Sequence, residues 1–294
     1  MTAIPSPSQA VWYLGPLPIR AYSLLMVLAV AVGIWVTQRR WTARGGERGT
    51  VGDIATWAVP FGMIGARIYH VATDWQQYFG PGKNPLRSFA IWEGGISIWG
   101  AVAGGALGAW LACRRRGIPL RDFADAAAPG IALGQVIARW GNWFNQELYG
   151  RPTTLPWALE IDAAHRPRGM ESTATYHPTF LYESLWDLGV AGFVLWAERR
   201  FRLDRGRAFA LYAAAYTTGR AWIEWLRMDP APLILGLRFN VWTALLVFGA
   251  AVAYLTATRQ TPTAPAAQGQ SVAEDESNPR PTMAANPSRW RPKM

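Results

Sequence analysis

The stretch AYSLLMVLAVAVGIWVT, residues 21–37, carries no Asp, Glu, Lys or Arg, and none occurs between Arg20 and Arg39. About 20 mostly apolar residues in helical form cross the roughly 30 Å of a bilayer's hydrocarbon. Working outward, six further runs read the same way, over residues 52–72, 95–113, 123–144, 179–197, 208–226 and 239–256. The sequence therefore predicts an all-α, polytopic membrane protein of seven transmembrane helices. The first run is not expected to be a cleaved signal: it lacks a basic flank before it and a small-residue cleavage site after it.

Composition agrees. Charged residues make up 16% of the 294-residue chain, against about 25% in soluble domains, and hydrophobic residues reach 51% with 17 Trp. The net charge of +10 is unevenly placed. One set of connections holds Arg39, Arg40, Arg44 and Arg48, then Arg114, Arg115, Arg116 and Arg121, then Arg199, Arg200, Arg202, Arg205 and Arg207. The alternate connections hold only Lys83 and Arg87, then Arg151, Arg166 and Arg168. The rich loops are expected to be cytoplasmic, which puts the N-terminus outside and the C-terminus inside. The basic excess is thus a topology signal, and no nucleic-acid partner is expected. A single cysteine, Cys113, excludes an internal disulfide framework, and the three histidines (His70, His165, His177) lack metal-ligand spacing, so neither a metal nor any other cofactor is expected.

Three regions follow: an external N-terminal arm over residues 1–20, the seven-helix domain over 21–257, and a tail over 258–294. The tail, rich in Pro, Ala, Ser and Thr, is expected to be disordered and cytoplasmic. Between the fourth and fifth spans, residues 150–176 are long enough for a small external cap, and residues 157–162 alternate like a short strand. Small residues recur at four-residue spacing (Ala58, Gly62 and Ala66; Gly100, Gly104 and Gly108; Gly130 and Gly134), which lets helices approach closely in lipid.

Ionisable groups inside a membrane are costly, and their depth is informative. Tyr22, Arg67, Glu93, Ser97, Arg139, Asn142, His177, Tyr182, Glu183, Arg220 and Glu224 all fall near the expected outer ends of their spans. Arg139 and Arg220 are placed about 9–10 Å below those ends at 1.5 Å per residue. Asp187 is the exception, near mid-depth. A channel or alternating-access transporter calls for polar groups at the midplane and a path to both sides; this pattern describes a pocket sunk in the outer leaflet, suited to a substrate that is itself a lipid. Gln135, Arg139, Asn142 and Gln146 share one helical face, as do Arg220, Glu224 and Arg227. Two arginines from different helices suit a phosphate; the plainer reading of each is snorkelling, or an ion pair with Glu93, Glu183 or Glu224.

The stretch ARWGNWFNQELYGR, residues 138–151, resembles the G-R-x-G-N-F-x-N-x-E-x-x-G-R signature of the bacterial prolipoprotein diacylglyceryl transferases. Arg20-Ala21-Tyr22, Gly65-Ala66-Arg67, Trp92-Glu93-Gly94-Gly95-Ile96-Ser97, His177-Pro178-Thr179-Phe180-Leu181-Tyr182-Glu183 and the Gly219-Arg220-Ala221-Trp222-Ile223-Glu224-Trp225-Leu226-Arg227 run agree in order, so the resemblance covers residues 15 to about 256. It implies an enzyme of the bacterial cell membrane, its site facing the outer leaflet. That enzyme moves the diacylglyceryl group of phosphatidylglycerol onto the lipobox cysteine thiol of a prolipoprotein. A thioether forms and glycerol phosphate leaves. By the same resemblance the catalytic residues are Arg139, Asn142, Glu147, Gly150, Arg220 and Tyr22, and the substrate-binding residues are Arg139, Arg220, Glu224, Arg67, Ser97 and His177. The types suit the chemistry: guanidinium groups neutralise a leaving phosphate, and a thiol near pKa 8.5 needs a proton acceptor.

One position departs from the family. Trp99 stands where many relatives have a histidine proposed as the general base, so Glu147, His177 or the positive pocket alone must serve. Structural roles are expected for His70 beside Asp74, and none of a chemical kind for His165. Cys113, beside Arg114 at the cytoplasmic end, is expected to be a packing residue. Trp140, Trp143 and Trp222 flank the pocket. The competing reading is a non-enzymatic lipid-binding or transport protein using the same anionic-lipid pocket.

Overall fold

The computed structural model describes residues 3–91, 94, 95, 97–229, 231 and 233–258. Glu93 and the tail expected after Thr258 lie outside the described residues. Among the described residues there are seven α-helices: α1 (Ala21–Ala43), α2 (Thr50–Thr73), α3 (Ile98–Arg115), α4 (Leu120–Asn145), α5 (Thr179–Phe201), α6 (Arg207–Leu226) and α7 (Phe239–Ala257). Each coincides with one of the apolar runs. The largest difference is at the end of α1, which continues six residues past Thr37 because Arg40 and Arg44 have partners there.

By length and composition α1 and α7 are apolar enough to cross a membrane, with mean hydropathies of 1.8 and 1.6. In α2 to α6, glycine, tryptophan and inward polar groups dilute the average. Burial is inverted relative to a protein built for water. Leu24, Val27, Ile64, Ile68, Leu185, Leu188 and Leu246 face outward, while Arg67, Asp125, Glu183, Asp187, Glu224 and Arg227 are buried. Such a distribution suits apolar surroundings, where buried charges must find one another.

Helices pair as α2 with α3, α1 with α4, α4 with α5, α5 with α6, and α6 with α7. The small-residue stripes form the first two seams. A Cβ on Gly100 would fall 2.1 Å from the Gly65 carbonyl oxygen, one on Gly104 2.2 Å from that of Phe61, and one on Gly130 2.7 Å from that of Gly33. At the end of the bundle where α1 finishes, Glu198 of α5 accepts from both Arg40 and Arg44, the latter at 2.6 Å. Buried Asp125 of α4 accepts from the backbone N–H groups of Gly206 (2.7 Å) and Phe209 (2.9 Å), capping α6 from a neighbouring helix.

At the opposite end are three short antiparallel pairs: β1 (Val11–Leu14) with β2 (Leu17–Arg20), β3 (Leu159–Glu160) with β4 (Thr175–Tyr176), and β5 (Leu233–Ile234) with β6 (Leu237–Arg238). The strand expected over residues 157–162 is β3. The hairpins of β1–β2 and β5–β6 were not expected from the sequence. The N-terminal arm also bridges Ile4 to Leu159, so three segments cover a small apolar cluster of Leu159, Ile161, Tyr176 and Phe180.

Candidate active site

Helix α4 stops where Gln146 turns left-handed (φ 49°). Its side chain both donates to Asp162 (2.6 Å) and accepts from the Asp162 backbone N–H (2.8 Å), tying the helix end to the segment over residues 150–176. The turn brings Glu147 back onto the helix: its N–H donates to the Asn142 carbonyl at 3.1 Å. One carboxylate oxygen accepts from Asn142 Nδ2 (2.9 Å) and Asn145 Nδ2 (3.1 Å). Asn142 is buried and Glu147 exposed, so a carboxylate is held at the rim by amides beneath it. Gln135, lower on the same face, accepts from the Tyr212 hydroxyl at 2.9 Å.

The two arginines meet through a shared acid. Arg139 Nε is 2.6 Å from Glu183 Oε2, and Arg220 Nη1 is 2.9 Å from Glu183 Oε1. Arg220 Nη2 also pairs with fully buried Glu224. Glu224 is further held by Arg238 Nε (2.7 Å) and Asn240 Nδ2 (3.0 Å), and Arg227 Nη1 stands 4.0 Å away. Arg227 and Arg238 both bind Asp229, at 2.7 and 2.9 Å. Burial works against the Asp229 charge, but the Arg227 hydrogen bond and the two guanidinium charges hold its carboxyl below the usual range. Alternating acids and bases thus link α4, α5, α6 and the start of α7. The ion-pair reading of the arginines is the one seen here, with Arg139 meeting Glu183 through Nε.

Tyr22 enters from α1. Its ring lies against Gly141, where a Cβ would fall 2.5 Å from Cδ2, and its phenol is within electrostatic reach of Glu147 and Arg139. Gly150 donates its N–H to the His177 carbonyl at 2.9 Å, and a Cβ there would fall 2.8 Å from His177 Cβ. Close backbone approach, not a left-handed turn, requires glycine at this position. His177 Nδ1 is 3.1 Å from the Tyr182 hydroxyl, which accepts from Trp157 Nε1 at 3.0 Å. Burial pulls the imidazole below its ordinary value, so it is uncharged near neutrality.

Arg67 and Ser97 are held by the loop before α3. Arg67, buried, donates to the carbonyls of Ser88 (2.8 Å), Gly94 (2.6 Å) and Gly95 (2.9 Å) and lies over the Tyr78 ring. These bonds tie α2 to the loop over residues 88–95. Gly95 is left-handed (φ 68°), and a Cβ there would fall 2.5 Å from His70 Nε2. His70 pairs with Asp74 (3.3 Å) and the Tyr78 hydroxyl (3.1 Å). Ser97 bonds through its backbone N–H to the Ala66 carbonyl at 3.1 Å. Trp99 packs edge-on against Phe239 at 5.8 Å, joining α3 to the start of α7. Cys113 is buried among Ile54 and Ala112.

Sequence reading missed Arg238, Asp229 and Asn240. Arg238 begins the seventh run and resembles a boundary charge; only the need for a partner for buried Glu224 signals it. Tyr216 and Trp186, which line a small cavity with Arg139, Glu183 and Arg220, were missed because aromatic residues are common throughout the chain.

The family model described as prolipoprotein diacylglyceryl transferase matches residues 9–257. A Streptomyces coelicolor protein named phosphatidylglycerol–prolipoprotein diacylglyceryl transferase 2 is 61% identical over 252 residues, covering 86% of this chain and 80% of that protein. A Streptomyces griseus protein bearing the same name without the number is 61% identical over 253 residues (86% and 76%). One from Frankia alni, also so named, is 56% identical over 287 residues (96% and 76%). With that match and these identities, the chain belongs to the prolipoprotein diacylglyceryl transferase family.

Proposed function

We propose that the protein transfers the diacylglyceryl group of phosphatidylglycerol to the lipobox cysteine thiol of prolipoproteins, releasing glycerol phosphate. The observation that carries this reading is the Arg139–Glu183–Arg220 bridge beneath the Asn142–Glu147 rim, in a family whose relatives are named for this substrate pair. A non-enzymatic lipid-binding role is not favoured. In this reading all seven helices span the bacterial cell membrane, the N-terminus is outside, and residues 150–176 form the external cap. The arginine cluster then faces the outer leaflet, and residues 258–294 form a cytoplasmic tail.

The thiol sulfur attacks the sp³ glycerol carbon that bears the phosphate, the C–O bond breaks, and the phosphate oxygen keeps the electron pair. Charge grows on that oxygen as the bond lengthens. The unpaired Nη edge of Arg139 offers it hydrogen bonds that strengthen in the transition state, while Arg220 adds positive charge from its fixed place between two acids. Asn142 and Glu147 stand at the rim, where the headgroup or the peptide backbone enters. Tyr22 supplies a hydroxyl between them and Arg139.

Purified protein in detergent with phosphatidylglycerol and a synthetic lipobox peptide tests the proposal by mass spectrometry. A gain of one diacylglyceryl group, absent when the peptide cysteine is Ser, supports it. Lipid and peptide binding without that gain refutes it.

A further inference from the structure

Asp187 lies one turn beyond Glu183 on α5 and is buried to 2% exposure. Its Oδ2 has no hydrogen-bond partner among the described residues, and no ion pair reaches it. An orphaned carboxylate oxygen is costly in an apolar interior and calls for an occupant. Beside it is a cavity with about 10 Å³ open to the centre of a water molecule, room for one. Arg139, Glu183, Tyr216 and Arg220 share its wall with Asp187. The cavity is therefore the underside of the same guanidinium pair that meets the phosphate in the reading above, on which this inference rests.

The reaction moves one unit of charge into this place. Before transfer, the site holds a neutral thiol and a phosphodiester of charge −1. Afterwards it holds a neutral thioether, a phosphomonoester of charge −2 and one proton. With Arg139, Arg220, Glu183 and an ionised Asp187, the sum before transfer is +2 −1 −1 −1, or −1. If the proton stays within the cluster the sum afterwards is still −1; if it leaves before the product, the cluster must hold −2 away from water. Glu183 has both oxygens committed to guanidinium groups. The groups facing Asp187 from other elements are Arg139 on α4 and Arg220, Tyr216 and Tyr212 on α6; the guanidinium groups have no acceptor atom, and a neutral phenol is a far weaker proton acceptor than a carboxylate.

We propose that Asp187 is the proton acceptor of the transfer, acting through a water in this cavity. The S–C bond forms, the C–O bond breaks with its electron pair on phosphate, and the thiol proton passes by a phosphate oxygen and the water to Asp187 Oδ2. It returns to solvent as glycerol phosphate leaves. Asp187 does not touch the substrate; it acts through the water and the arginines.

The test uses the full chain in the lipobox-peptide assay with Asp187→Asn and Asp187→Glu. For Asp187→Asn, the expected result is a kcat lower by about 10²-fold at neutral pH with the phosphatidylglycerol KM within about twofold. The deficit should shrink as pH rises, because solvent must then take the proton, and Asp187→Glu should restore part of the rate. Wild-type kcat and pH profile in Asp187→Asn overturn the proposal, as does a loss that neither raised pH nor Glu relieves. If Asp187→Asn does not fold, Asp187→Glu carries the test alone: a shifted pH–rate profile at unchanged KM supports the proposal, and an unshifted one overturns it. Wild-type protein that transfers nothing removes both readings, whereas active wild type with an indifferent Asp187 removes only this one.

Discussion

Arg139 meets Glu183 through Nε alone, at 2.6 Å, and its two Nη groups have no protein partner among the described residues. Arg220 differs: both its Nη groups are spent, on Glu183 and Glu224. Removing Arg139 leaves Glu183 still paired, so Arg139→Ala should abolish peptide lipidation, by about 10²–10³-fold or more, with little change in thermal unfolding in detergent. Removing Arg220 weakens two buried carboxylates together, so Arg220→Ala should cost about 3–5 kcal/mol of stability as well as activity. Equal thermal loss in both variants would contradict this division.

Arg139→Lys separates charge from geometry. Lysine keeps the charge but has no planar fork and cannot hold Glu183 while presenting two donors to phosphate. Steady-state kinetics should show kcat reduced at least about tenfold with the charge preserved; full activity would reduce the role of Arg139 to a point charge.

Gly150→Ala places a methyl group against His177 Cβ, at 2.8 Å, and against the Leu226 carbonyl oxygen, at 3.3 Å. Neither neighbour is the end of a flexible chain, so backbone must move, at about 1–3 kcal/mol. A lowered unfolding temperature together with lost transfer is expected, and an unchanged one would show that the segments at Gly150 and His177 separate easily.

Asp229 provides a pH-dependent element outside the helices. Its carboxyl is held below the usual range by Arg227 and Arg238 against the opposing effect of burial. A depressed folded-state pKa stabilises fully above the unfolded value of about 3.9 and is lost as pH falls through the folded value. Asp229→Asn should therefore be less stable than wild type near neutrality, and unfolding scans of the two should converge at pH values below about 4.

Asp125→Ala leaves the Gly206 and Phe209 N–H groups at the start of α6 without their acceptor. A loss of about 1–3 kcal/mol is expected, and peptide lipidation per folded molecule should be retained because α6 meets Glu183 at its other end.

The helices were legible because long, charge-poor runs of helical length mark them, and each apolar run became one. Their ends were less so: α1 outlasts its apolar run because Arg40 also donates to the Ala126 carbonyl at 2.9 Å, a partner 86 residues away. The β1–β2 hairpin was missed although Gly15, left-handed at φ 61°, sits in its turn; two four-residue strands carry too little pattern. In the site, Arg139, Asn142 and Glu147 were found together because one helix end carries them all. That Glu183 joins Arg139 to Arg220 depends on how α4, α5 and α6 pack. Arg67 donates to loop carbonyls from residues 88, 94 and 95, which no local spacing reveals.

The glycine seams set a limit on how this bundle can deform. Where Gly65 and Gly100 let two backbones touch, no side chain fills the space that separation would open, and lipid tails are too thick to follow. Helices α2 and α3 must therefore travel as one plank. In the proposed reaction, any opening that admits lipid and peptide falls to contacts that can re-form elsewhere, such as the edge-on packing of Trp99 on Phe239.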